Sequence, residues 1–266
     1  MIDESRVRGW YGIPSVRWNI LQRLMCREMC YTKAKADGEF HVRSMSMMSD
    51  EVLERHLCNE EYLIQDLFSS LAVYPIEALR EAHSAHRRKA MFSSVKPDRY
   101  PIAFDFDTHD ESELGDVGEN ALSLARLLFE SGVKSEAVFS GGKGWHVNTD
   151  HYVAADPERK DNGVNKWRKL CLGLAGGLGA DPAIYSARRE WRCEYSLHHS
   201  GRVCFPVTAG MLVEFIHDHA ENGLGEWFSP LWVMRNAPLF NRGVVFLDGT
   251  HVPPVREWCV NEWKTR

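Results

Sequence analysis

Hydrophobic and polar positions alternate most clearly between Pro101 and Asp107. Ile102, Phe104 and Phe106 fall on one side of an extended chain, and Asp105 and Asp107 share the other. The pattern predicts a mostly buried central strand with two carboxylates on one face. Helix-like spacing runs through Trp18, Ile20, Leu21 and Leu24. Two short strands follow, one within Arg27 to Tyr31 and one from Phe40 to Met45, and they fit a hairpin turning at Asp37-Gly38. Ser49 is placed as the N-cap of a helix through Leu53 and Leu57, and a further short strand pair is expected between Leu67 and Tyr74. The run Asp116-Val-Gly-Glu119 has the form of a capping box opening a helix through Leu122, Ala125, Leu128 and Phe129, which Gly132 ends. Strands over 136–139 and 145–149, a helix over 164–178 and two strands flanking Gly201 complete the order strand, helix, strand, strand, helix, strand. That order predicts an α+β fold, a split βαβ or ferredoxin-like (RRM-like) sheet with its helices on one face. Changes of pattern divide the chain into an N-terminal α/β lobe at 1–95, a central lobe at 96–215 and a C-terminal helical tail at 216–266.

Composition narrows the setting. The chain has 266 residues, 44% of them hydrophobic, which is enough for a real core. Its formal net charge of −5 excludes a surface coated in basic groups, so any grip on nucleic acid is local. Seven scattered cysteines read as reduced thiols, and no apolar run reaches the length of a membrane span, so a soluble, intracellular, cytoplasmic protein is expected. The basic stretch from His83 to Lys89 reads as well as a solvated face as it does a nucleic-acid contact, and it is left out of the site.

Three constellations carry chemistry. Two aspartates on one strand face suit a hard divalent cation, although exposed strands also carry acids for solubility. Burial among Ile102, Phe104 and Phe106 tips the balance, because two like charges there repel unless a cation neutralises them. In Ser140-Gly-Gly-Lys143-Gly-Trp-His146 the glycines let backbone approach an anion, while Lys143 and His146 can donate to it. The run fits neither a Walker loop nor a dinucleotide fingerprint, and a bare glycine turn would look much the same. Arg188-Arg189-Glu-Trp-Arg192 and Tyr195-Ser-Leu-His198-His199 can form a surface hairpin or clamp a triphosphate.

In chain order these pieces resemble the archaeo-eukaryotic primase superfamily, particularly the small catalytic subunit of DNA primase. The likeness spans about residues 18 to 207 and rests on Arg27-Glu28-Met29, Arg43, Asp105-Phe-Asp107, Ser140 to His146, Asp181, Arg192, Ser196-Leu-His198, Gly201 and Pro206. The resemblance implies a primase-type catalytic core acting in DNA replication. Asp105, Asp107 and Asp181 would hold two Mg2+ or Mn2+ ions. Ser140, Gly141, Lys143, His146, Arg192 and His198 would hold the nucleotide's phosphates, with Glu28 and Arg43 near the nucleotide or ribose. The implied partners are nucleoside triphosphates and a single-stranded DNA template, with a large primase subunit or a helicase as a cooperating protein.

Departures from the family pattern are local. Residues 108 to 139 contain His109 but no cysteine, so no structural zinc is predicted. Gly142 stands where the family has a basic residue, and the Ser-x-His segment lacks the usual lysine, leaving His199 and Arg202 to compensate. The residues alone leave two alternatives open: a metal-dependent nuclease or phosphohydrolase using the same acids, and a catalytically silent single-strand-binding module. Trp227, Trp232, Trp258 and Trp263 at helix-like spacing read as core before they read as a base-stacking surface.

Overall fold

A computed structural model describes residues 4–35, 38–44, 50–77 and 95–236, and the short pair Val244–Val245 with His251–Val252. Helices α1 (Glu4–Tyr11) and α2 (Pro14–Leu24) open the described chain, Pro14 occupying the first turn of α2 where its missing N–H has no partner to lose. Buried Arg17 on α2 ties three segments together. It makes a bidentate pair with Asp50, at 2.8 and 3.0 Å, and donates to the carbonyls of Tyr11 and Gly12. Asp50 begins α3 (Asp50–Leu57). The expected hairpin forms as β1 (Met29–Lys35) and β2 (Gly38–Ser44), antiparallel with Lys35 opposite Gly38. Ser49 and the segment from His83 to Lys89 lie outside the described residues. In place of a second strand pair, one longer strand, β3 (Leu63–Ser70), pairs antiparallel with β1.

The second sheet contains the acidic strand. It is built from β4 (Arg99–Asp107), β5 (Ser135–Phe139), β6 (Gly144–Ala154) and, after β7 (Glu190–Arg192), the short β8 (Phe205–Val207), in the order β4-β6-β5-β8 with every neighbour antiparallel. β6 therefore sits between β4 and β5, which is the split βαβ expected. The strands flanking Gly201 part company, because β7 joins the first sheet, beside β3, and β8 joins the second. The first sheet thus draws its fourth strand from within residues 96–215. A ferredoxin-like order would set the last strand against β4; here β8 pairs with β5 and β4 is an edge.

The expected central strand is therefore an edge strand, buried from Tyr100 to Phe106 apart from a half-buried Ile102. Its other side meets Val73 in a single antiparallel bridge at Arg99 and is otherwise closed by three donors that are not strands. Trp167 Nε1 donates to Pro101 O at 2.8 Å, the Tyr185 hydroxyl to Ala103 O at 3.0 Å and the Asp181 N–H to Asp105 O at 2.8 Å. Carbonyls 101, 103 and 105 alternate onto that side and would otherwise be buried without partners.

Helix α4 (Leu114–Glu130) packs across β4, β5 and β6, and α5 (Val164–Ala175) packs on β4. α4 starts earlier than the Asp116 capping box implies. Asp110 caps a 3-10 turn over Glu111–Glu113 by accepting from the Ser112 N–H, and that turn runs straight into the helix, leaving Asp116 in its first turn. Gly132, at φ +76°, follows the C-terminus as expected. α6 (Ala209–Asn222) and α7 (Pro230–Asn236) complete the helical layer. Trp227 and Trp232 belong to its core, clustered with Trp145, Phe215 and Phe228 at centroid distances of 4.8–5.8 Å. Trp258 and Trp263 lie outside the described residues. No described helix is long and apolar enough to cross a membrane.

A polar layer joins the two sheets. Glu194, almost fully buried, pairs with Arg23 of α2 and accepts from Asn148 Nδ2 at 3.1 Å, and Arg23 also reaches Glu136 at 3.0 Å. Burial, opposed by Arg23 and reinforced by Glu136, pushes the Glu194 carboxyl up to about 7. A carboxyl raised on folding stabilises most below its unfolded value and loses that contribution as pH rises through its folded one. The Glu194 contribution to stability is therefore expected to fall as pH rises from about 4.5 to about 7, by at most about 1.4 kcal/mol per pH unit for one proton. In urea melts Glu194→Gln should remove that component, so the stability difference between native protein and variant should change with pH across this window; a constant difference would assign the component elsewhere. Phe215→Ala, at the centre of the aromatic cluster, is expected to cost about 3–5 kcal/mol in the same assay.

Candidate active site

Between the two sheets lies a cavity of about 270 Å3 with walls of opposite character. The acidic wall is the end of β4. Asp105 is buried and Asp107 sits at the exposed strand end, with His146 opposite Asp105 and Gly144 opposite Asp107 in the register. Gly144 is obligatory, since a Cβ there would lie 2.0 Å from Asp107 Oδ1 and 2.7 Å from Phe106 O. The Asp181 N–H bond to Asp105 O, which closes the strand edge, also brings the late aspartate to the pair. Burial, then the charges of Asp107 and Asp181, push the Asp105 carboxyl well up against the opposing pull of Arg189. Asp107 is raised too, by desolvation in the cleft and by Asp181. Asp105 Oδ1 has no hydrogen-bond donor among the described residues. Three carboxylates, one with a buried oxygen lacking a donor, fit a hard divalent cation.

His146 stacks on Trp191 at 3.9 Å between centroids, with Nε2 3.6 Å from Asp105 Oδ1. Burial, helped by Arg192 and Arg189, drives its imidazole down to about 3, so near pH 7 the ring is neutral. It sits beside the acids without adding a positive charge to the phosphate side.

The basic wall comes from β7 and two turns. Arg189 and Arg192 line the cavity with Lys143, Ser140, Gly142 and His198. Gly141, at φ +85°, has the left-handed conformation that glycine tolerates, and a Cβ there would approach His198 Cβ to 3.0 Å. Lys143 Nζ donates to His109 O at 2.6 Å, holding the turn against the loop after β4. The Ser200 N–H points at His198 Nδ1 at 3.1 Å, so that nitrogen accepts and Nε2 carries the proton. Burial and the charge of Arg192 push His198 down to about 3, making it a neutral donor.

Two expected residues stand further away. Glu28 is buried and exchanges hydrogen bonds with Ser70, and its carboxylate lies 3.6 Å from Arg188, the residue before the cavity-lining Arg189. Arg43 is on the far edge of the first sheet, where the register sets Arg43, Cys30, Phe68 and Arg192 in one row. The cavity also contains Arg189 and Trp191, members of the basic run to which the resemblance gave no role of their own, and Phe68, which no sequence pattern marks. Behind its wall lies Asp66, which no sequence signal marks: it is one polar residue in a strand, with no motif around it. Asp66, His198 and His199 have ligand atoms that all lie within 4.8 Å of one another. The three aspartates instead form a looser group defined by mutual repulsion.

No protein family and no curated protein matches the chain by sequence. Among solved structures it is similar to the polymerase domain of Mycobacterium tuberculosis ligase D in complex with DNA. The TM-score is 0.54 at 15% identity, over 85% of this chain and 91% of that domain. It also aligns with the primase RepB′, with a TM-score of 0.34 at 13% identity, over 78% of this chain and 63% of the other. The first likeness establishes an α+β fold shared with that polymerase domain.

Removing one of three mutually repelling charges should stabilise the metal-free protein. Asp105→Asn is expected to raise the thermal midpoint in chelator by a few degrees, at about 2–4 °C per kcal/mol for a domain of this size. It should also abolish any rise that magnesium or manganese produces in the native protein. A lower midpoint, or a metal response that survives the substitution, would count against the acid cluster as a cation site.

Proposed function

We propose that this chain is a template-dependent nucleotidyltransferase, a primase or primase-polymerase. It would build short RNA or DNA on single-stranded DNA from nucleoside triphosphates. One observation carries the reading: Asp105 and Asp107, with Asp181 in electrostatic reach of both, face Arg189, Arg192, Lys143 and His198 across one cavity. The shared fold with a ligase D polymerase domain supports it.

Asp105, Asp107 and Asp181 are the residues that would hold two Mg2+ or Mn2+ ions, which would neutralise the triphosphate and make the 3′-hydroxyl a better nucleophile. Arg192 and Lys143 would take the β- and γ-phosphates, whose negative charge grows as pyrophosphate leaves. His198 would donate Nε2–H to the same group without changing its charge. The turn at Ser140 and Gly141 would let phosphate oxygens approach the backbone, and neutral His146 would keep Asp105 from being paired by an internal cation. Glu28 and Arg43 would act from the first sheet, toward the nucleotide or ribose. A large primase subunit or a helicase is the partner that would help it initiate.

A primer-synthesis and extension assay on single-stranded template, with separate ribo- and deoxynucleotide pools and magnesium or manganese, tests this. Product is expected, and Asp105→Ala and Asp107→Ala should each reduce it roughly a hundredfold or more. Product that survives both substitutions would remove the acids from the mechanism. Degradation of a labelled strand without triphosphates would favour a nuclease instead. Salt-dependent strand binding with no turnover in any metal would leave a silent binding module.

A further inference from the structure

Asp66 lies on β3, behind the basic wall and away from the acids. Its Oδ1 accepts from Arg192 Nη1 at 2.6 Å and lies 3.4 Å from the His199 backbone N–H, and its Oδ2 lies 3.4 Å from His199 Nδ1. The Asp66 and Arg192 side chains are only 13% and 12% exposed. Two residues along β3, on the same face, the Phe68 ring lies 4.5 Å beneath the Arg192 guanidinium. One short stretch of strand thus supplies a shelf for the plane of the guanidinium and a carboxylate for one of its edges. The remaining N–H groups are left for the cavity that Arg192 lines. Burial would raise the Asp66 carboxyl, but the charge and hydrogen bond of Arg192, with His198 and His199 behind it, outweigh burial and keep it ionised.

The geometry points to Asp66 as the positioning residue of the phosphate clamp, fixing Arg192 and the turn at His198-His199 in one arrangement before an anion arrives. Fixing a long, flexible side chain in advance removes an ordering cost that binding would otherwise bear. The inference rests on the reading of the cavity as a triphosphate site. Asp66, His198 and His199 could also be taken for a transition-metal site, given how close their ligand atoms lie. Two contacts argue against that: the carboxylate already holds Arg192, so a dication would sit beside a guanidinium, and His198 Nδ1 is committed to Ser200.

Inorganic tripolyphosphate, titrated calorimetrically into the full chain in chelator, probes the clamp without a base, a sugar or catalysis. Asp66→Asn is expected to weaken binding by about tenfold to a hundredfold, as for other charge-assisted contacts, with the thermal midpoint within a few degrees of native. Asp66→Glu, which keeps the charge, should recover part of the loss. Because Asp66 acts through Arg192, Asp66→Asn should add at most about a twofold effect in an Arg192→Ala background. In primer extension the same substitution should raise KM for nucleotides by a larger factor than it lowers kcat.

Equal binding by native and Asp66→Asn protein, no binding by the native protein, or an undiminished effect without Arg192 would each overturn the inference. So would a cobalt(II) absorption spectrum lost on Asp66→Asn or His199→Ala, which would make the cluster a metal site. Asp66-dependent tripolyphosphate binding in a protein that extends no primer would uphold the clamp and defeat the polymerase reading. Extension with KM and kcat both unmoved by Asp66→Asn would do the reverse.

Discussion

The site depends on how one strand edge is closed. Apart from a single bridge between Arg99 and Val73, β4 has a neighbour on one side only, yet most of it is buried, so the carbonyls of Pro101, Ala103 and Asp105 need donors from outside the sheet. Trp167 from α5, the Tyr185 hydroxyl and the Asp181 N–H supply them. A buried carbonyl left without a donor costs about 1–3 kcal/mol, so three together are a large share of the stability of a domain. The same closure brings Asp181 to within electrostatic reach of Asp105 and Asp107. Covering an edge and assembling an acidic site are here one structural act.

Charge is then arranged by opposition across the gap between the sheets. Burial and neighbouring negative charge raise the proton affinity of Asp105 and Asp107, so this wall is destabilising until something cationic satisfies it. Several arginines around the gap, by contrast, rest against acids: Arg192 on Asp66, Arg188 near Glu28 and Arg23 on Glu194. Acids concentrated on one side and supported cations on the other give the cavity two walls of opposite charge. His146 and His198, both neutral near pH 7, add hydrogen-bonding capacity without disturbing that balance.

Much of the architecture was legible because it follows local periodicity. The alternation around Asp105, the helix over 114–130 with Gly132 at its end and the strands either side of the glycine turn all come from patterns a few residues long. Errors arose where non-local pairing decides. Nothing near β4 distinguishes an edge strand buried by a distant tryptophan and tyrosine from a central one. Nothing near Gly201 says that the strands before and after it enter different sheets. The helix after Asp110 began early because an upstream aspartate capped a 3-10 turn that periodicity does not register.

By itself the sequence nominated the side chains proposed to carry the chemistry: the paired aspartates, the glycine turn with Lys143, and the basic run from Arg188 to His198. These residue types have few uses when they occur together and in order, so composition and spacing were enough to nominate them. Only the tertiary structure decided who supports them. It placed Asp66 against Arg192 over a separation of 126 residues, and it set Glu28 and Arg43 on the first sheet, away from the acids. A supporting residue is defined by its partner, and over that separation the partner is chosen by sheet register and packing rather than by any pattern along the chain.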